Sequence, residues 1–163
     1  MTNPTTITAQ PGTPFLDMIR EFEAPPELVW RATSEPDLVV QWLAVCDNDM
    51  RIDVWDVRPG GGYRYAHIPP DGPEQVFHGV YHQAVPNKLV IQTFEWAGAP
   101  DQVCIEFIAL EELGGGRTRM VSHSVFPSVE AQEAAVASGM EHGMRQSMDQ
   151  LEDLVATLRT NAA

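Results

Sequence analysis

Positive charge is scarce in this chain. Of 163 residues only 10 are Lys or Arg, against 23 Asp or Glu, and the formal net charge is −13. Such a field repels nucleic acid and anionic lipid surfaces and favours solubility, so neither partner is expected. Cysteine is scarcer still. Cys46 and Cys104 are the only two, they form no CxxC pair, and each sits among apolar or strand-like neighbours. Both read as buried or half-buried free thiols, which suits a reducing compartment. No apolar run approaches the ~18 residues of a membrane span, and no charged-then-apolar leader opens the chain. The cytoplasm is the expected location.

What is present is globular. The hydrophobic fraction is 44% and the aromatic fraction 8%, enough for one domain with a core that needs neither disulfide nor metal. Residues 1–13, rich in Thr, Pro, Gly and Gln, have little to bury and read as a flexible N-terminal arm. Residues 14–160 read as a single domain.

Phe15 to Glu23 fits a half-buried strand. Ala24-Pro25-Pro26 stops it, and two short helices follow, Glu27 to Thr33 and Glu35-Pro36 to Trp42. Helices of this size must pack on something larger. Strands are then expected over Met50–Val57, Tyr63–Ile68, Gln75–Ala84, Lys88–Trp96, Val103–Glu111 and Arg117–Val125, separated by turn chemistry such as Pro59-Gly60-Gly61-Gly62, Pro69-Pro70-Asp71-Gly72 and Gly114-Gly115-Gly116. Six short strands with hairpin-type links argue an antiparallel meander rather than βαβ units.

Ser128, a good N-cap, opens a periodic segment that runs to about Arg159. Met140, Met144, Met148, Leu151, Val155 and Leu158 recur every three or four residues, while Glu141, Arg145, Gln146, Glu152 and Asp153 fall off the stripe. The spacing predicts one amphipathic helix of about eight turns, and it makes substitution at Glu152 harmless. An open sheet with one apolar face and a helix with one apolar stripe bury each other most simply when the sheet wraps the helix. The expected class is α+β, about seven antiparallel strands curved around a long C-terminal helix, with the two short helices after the first strand plugging one end.

At Phe22-Glu23-Ala24-Pro25-Pro26-Glu27-Leu28-Val29-Trp30, Glu35-Pro36-Asp37-Leu38, Arg58-Pro59-Gly60-Gly61-Gly62-Tyr63, Gly79-Val80-Tyr81, Pro86-Asn87-Lys88-Leu89, Phe126-Pro127-Ser128 and Ser138-Gly139-Met140 the chain resembles the START-like (SRPBCC, helix-grip) superfamily. Within it, the chain is similar to the branch related to the activator of the heat-shock protein 90 ATPase. The resemblance implies the helix-grip fold over Phe15 to Leu158. It also implies a choice among roles: binding of small apolar ligands, chemistry on polyketide-like substrates, or assistance to a chaperone. The shared motifs are turns and packing positions, so fold-level likeness does not select among them.

The residues themselves narrow the chemistry. His78 and His82 lie roughly 13 Å apart along one strand at ~3.3 Å per residue, too far to share an ion; no metal and no cofactor is expected. His123, on the last strand, is the histidine expected to face the cavity. Alternation in Cys104-Ile105-Glu106-Phe107-Ile108 favours an outward Glu106 opposite inward Ile105 and Phe107. The other reading is an inward carboxylate with a raised pKa. No Gly-x-Ser-x-Gly elbow accompanies Ser122 and Ser124. Gly139 and Gly143 inside the long helix suggest close approach of sheet or ligand.

Trp42, Phe77, Tyr81, Phe94, Trp96, Met140 and Met144 are the expected cavity lining, with His123 or Tyr81 as polar anchor. A filled core would use the same residues. The expected function is binding of a small hydrophobic or aromatic molecule between sheet and C-terminal helix. The alternatives are a cyclase or hydrolase in the same cavity, with His123 as base, and a module that activates a chaperone ATPase. A homodimer is left open, and the resemblance adds a chaperone partner, less in favour.

Overall fold

The computed structural model describes residues 3–163. In chain order the elements are β1 (Thr6–Thr8), β2 (Phe15–Phe22), α1 (Pro26–Ser34), α2 (Pro36–Trp42), β3 (Asp49–Trp55), β4 (Gly62–Ile68), β5 (Gln75–Val85), β6 (Leu89–Trp96), β7 (Cys104–Gly114), β8 (Arg117–Val125), α3 (Val129–Ala137) and α4 (Met140–Ala162). One eight-stranded sheet runs β1-β2-β8-β7-β6-β5-β4-β3, antiparallel at every pairing. The meander is therefore closed by a single long return, which lays β8 against β2. The class is α+β, a sheet gripping its C-terminal helix.

Three expectations are corrected. The N-terminal stretch is not a loose arm throughout. Thr6, Ile7 and Thr8 pair with Ile19, Met18 and Asp17, which adds an eighth strand to the seven expected. Thr5 is buried and its hydroxyl accepts from Arg20 Nη1 at 2.7 Å, while its carbonyl accepts from Arg145. Met1 and Thr2 lie outside the described residues. Few side chains here are apolar, and it is backbone pairing to β2 together with two arginines of the domain that holds the segment.

The long helix is also two helices. Ser128 caps α3 as its composition suggests, its hydroxyl accepting from Ala131 N at 3.0 Å. At Gly139 the backbone turns left-handed, φ +82°, a conformation that glycine adopts without the Cβ penalty. The apolar stripe lies wholly within the second helix, where Met148, Leu151 and Val155 are buried among Met18, Phe22 and Met120 of the sheet and Val29 and Trp42 of α1 and α2. Pro26 and Pro36 open the short helices in the first turn, where their missing N–H costs nothing. Trp42 Nε1 donates to the Ala32 carbonyl at 2.8 Å and locks α2 on α1.

The position expected to be harmless is part of this joint. Glu152 is 8% exposed, and Oε2 accepts from Arg20 Nη2 at 2.9 Å and Nε at 3.3 Å. Arg20 is 1% exposed on the inward face of β2 and also meets Asp149 at 2.7 Å. Buried charges are kept only when paired, so α4 is attached to the sheet by an ion pair as well as by its stripe.

Candidate functional site

Sheet and helices do not close on each other completely. A cavity of about 980 Å³ lies between them, walled by inward residues of β2 and β4 to β8 and roofed by α3, α4 and the two short helices. Its size is at the upper end of small-molecule sites, ~300–1,000 Å³.

One wall is aromatic. Tyr63, Tyr65 and Tyr81 form a buried cluster with Trp55, Phe77 and Phe94 against it. Tyr65 stacks on Phe77 at 5.3 Å between centroids, and Phe77 on Phe94 at 5.5 Å, spacings at which offset rings attract. Tyr63 reaches across Gly79 to donate to the Thr93 carbonyl at 2.5 Å. A Cβ on Gly79 would lie 2.7 Å from that hydroxyl and 2.0 Å from the Thr93 oxygen, so the crossing needs glycine.

The floor is polar along one row. Register aligns Leu16 with Ser124, Ser124 with Glu106, Glu106 with Gln92 and Gln92 with Tyr81 across five strands. Glu106 sits at the centre: Oε1 accepts from Gln92 Nε2 at 2.9 Å and Oε2 from Ser124 Oγ at 3.3 Å. Burial pushes its carboxyl above the ordinary range, and those two hydrogen bonds pull it back only in part. Around it the hydroxyls of Tyr63, Tyr65 and Tyr81 are all raised, by burial first and then by Glu106, and the Cys104 thiol is pushed up to about 12 for the same two reasons. His67 lines the aromatic end. Among the described residues its Nε2 is buried without a partner, and burial lowers its pKa against the opposing pull of a backbone hydrogen bond to Leu43.

Trp42, Phe77, Tyr81, Phe94, Trp96, Met140 and Met144 all line this space. Trp96 stands at the rim, 42% exposed, with Nε1 donating to Gln75 at 2.9 Å. His123 does not join them. It lies on the opposite face of β8, its Nδ1 2.6 Å from Asp17 and its ring 5.0 Å from that of Phe15, so it is neither anchor nor base for the cavity. Glu106 is inward, against expectation, while Ile105 and Phe107 are 44% and 41% exposed. Cys104 is buried but Cys46 is exposed, contrary to the reading of two sheltered thiols. Gly143 faces the cavity, where a Cβ would meet Val45 at an ordinary 3.6 Å, so no close approach demands glycine there.

Ser122, Ser124, Gln92, Tyr63 and Tyr65 also line the cavity, beyond the lining expected from the sequence. A signal for two of them was present: in Arg117-Thr118-Arg119-Met120-Val121-Ser122-His123-Ser124 the arginines mark one parity as outward, and His123 shares it.

The family described as "Activator of Hsp90 ATPase homolog 1-like protein" matches residues 23–156. The chain belongs to this family. Solved structures repeat its fold. A protein from Rhodobacter sphaeroides is 24% identical, with TM-score 0.85 over 94% of this chain and 99% of that one. One from Mycobacterium smegmatis is 20% identical, TM-score 0.84, over 93% and 96%. One from Chromobacterium violaceum is 27% identical, TM-score 0.76, over 87% and 96%. No curated protein matches. Among the described residues no helix is long and apolar enough to cross a membrane.

Proposed function

We propose that this member of the family binds a small, largely apolar, ring-bearing molecule in the cavity between sheet and helices. The observation that supports the reading is the cavity itself: about 980 Å³, walled by aromatic and methionine side chains and crossed by one polar row centred on Glu106. Ligand sites combine an apolar lining with a few polar groups that fix orientation. Met140 and Met144 roof it at the start of α4, where unbranched side chains adapt to varied shapes.

Uptake of an environment-sensitive apolar dye by the native protein tests this, together with native mass spectrometry of freshly purified material for retained small molecules. Met144→Trp should fill part of the space, leave the thermal midpoint within a few degrees and weaken dye uptake. In a filled core the same change should cost roughly 1–3 kcal/mol by overpacking. A wild type that takes up no dye, with a strongly destabilised Met144→Trp, would refute the reading.

A further inference from the structure

Among the described residues Glu106 is a carboxyl without a counter-ion. No Lys or Arg is among the residues that line the cavity; its titratable groups are Glu106, Glu130, His67, Cys104 and the three tyrosines. The titratable groups that feel Glu106 are Tyr63 and Tyr65 of β4 and Tyr81 of β5, further along the sheet, and Cys104 on its own strand β7. All four are neutral when protonated, as their raised pKa values keep them, so none offsets a negative charge. Both hydrogen bonds that Glu106 receives come from neutral donors, Gln92 and Ser124. These orient a carboxylate but supply no charge.

The same cavity is lined by the stacked rings of Tyr65, Phe77 and Phe94, and Phe94 pairs with Cys104 two residues along β7 from Glu106. Aromatic faces attract cations, more strongly when water is excluded, and a desolvated carboxylate gains most from a partner of opposite charge. An anionic ligand would meet Glu106 with no cation to receive it. Resting on the reading of the cavity as a binding site, we propose that its ligand is an organic amine bound as the ammonium ion. Its apolar ring system lies along the aromatic wall and its N–H groups donate to Glu106. Where the carboxyl is the neutral acid before binding, its proton leaves to solvent as the ammonium arrives.

Three probes on one skeleton test the assignment: naphthylethylamine, naphthylethanol and naphthylacetate, titrated calorimetrically into the native protein at neutral pH and low salt. The expected order is amine first, about tenfold or more tighter than the alcohol, with the acetate weakest. In Glu106→Gln the gap between amine and alcohol closes. The wild-type ranking needs no variant, so poor folding of Glu106→Gln does not protect the proposal. Equal binding of amine and alcohol by the wild type overturns the ammonium assignment while leaving an apolar binding site in place. So does a preference for amine that survives in Glu106→Gln. Failure of all three probes overturns the assignment together with the binding reading on which it rests.

Discussion

Glu152 holds the Arg20 guanidinium at 2.9 Å in a place almost closed to water. Glu152→Lys would set an ammonium against that guanidinium, and breaking a buried pair from one side typically costs about 3–5 kcal/mol. Thermal or urea melts of the variant should show a large loss, and a midpoint like that of the wild type would remove the ion pair from any part in attaching α4. Glu106 has the reverse kind of electrostatics. Its folded-state pKa is raised above the unfolded value, so the folded chain keeps a proton that the unfolded chain gives up. Stability from this group is then complete below the ordinary carboxylate pKa of about 4.3 and falls as pH rises through the folded value. Glu106→Gln lacks the titration. The difference in unfolding free energy, variant minus wild type, should rise with pH across that window and level off above it. A difference flat from acid to neutral pH would show that Glu106 ionises in the fold as it does in water. Both residues are glutamates, and only their neighbours in space separate the carboxylate paired with Arg20 from the one buried beside neutral donors.

At the scale of elements, the break at Gly139 decides where the cavity gets its roof. The residue is left-handed, with nothing within 4 Å of where a Cβ would stand, so Gly139→Ala probes the backbone alone. In the left-handed conformation alanine costs roughly 1–2 kcal/mol. In a continuous helix the same change would stabilise by about 0.8–1 kcal/mol. The urea midpoint should therefore fall at constant m-value, and a rise would mean one uninterrupted helix. The stripe from Met140 to Leu158 was legible in the sequence because helical periodicity is local, and it coincides with α4. The break was not, because α3 carries no comparable stripe: Ala131, Ala134, Ala135 and Ala137 suit a helix in any orientation.

At the scale of the whole molecule, the same sheet presents two unlike faces. Inside, Ser124, Glu106, Gln92 and Tyr81 make a polar row under an aromatic wall. Outside, Ile19, Ile105 and Phe107 stand partly exposed around the His123–Asp17 pair. Strand β7 has apolar residues at both parities, Cys104, Ile108 and Leu110 on one and Ile105, Phe107 and Ala109 on the other. Alternation alone therefore assigned its faces the wrong way round, and with them Glu106.

The strands from β2 to β8, the two short helices between β2 and β3 and the buried stripe of α4 follow from the sequence by itself, since turn residues and hydrophobic period act over a few neighbouring positions. The direction of Glu106, the exclusion of His123, the burial of Arg20 with Glu152 and the cavity itself were decided only by tertiary structure. Each depends on register between strands 14 to 18 positions apart, or on contacts that span more than a hundred residues. A one-residue slip in register exchanges the faces of a strand without changing its composition.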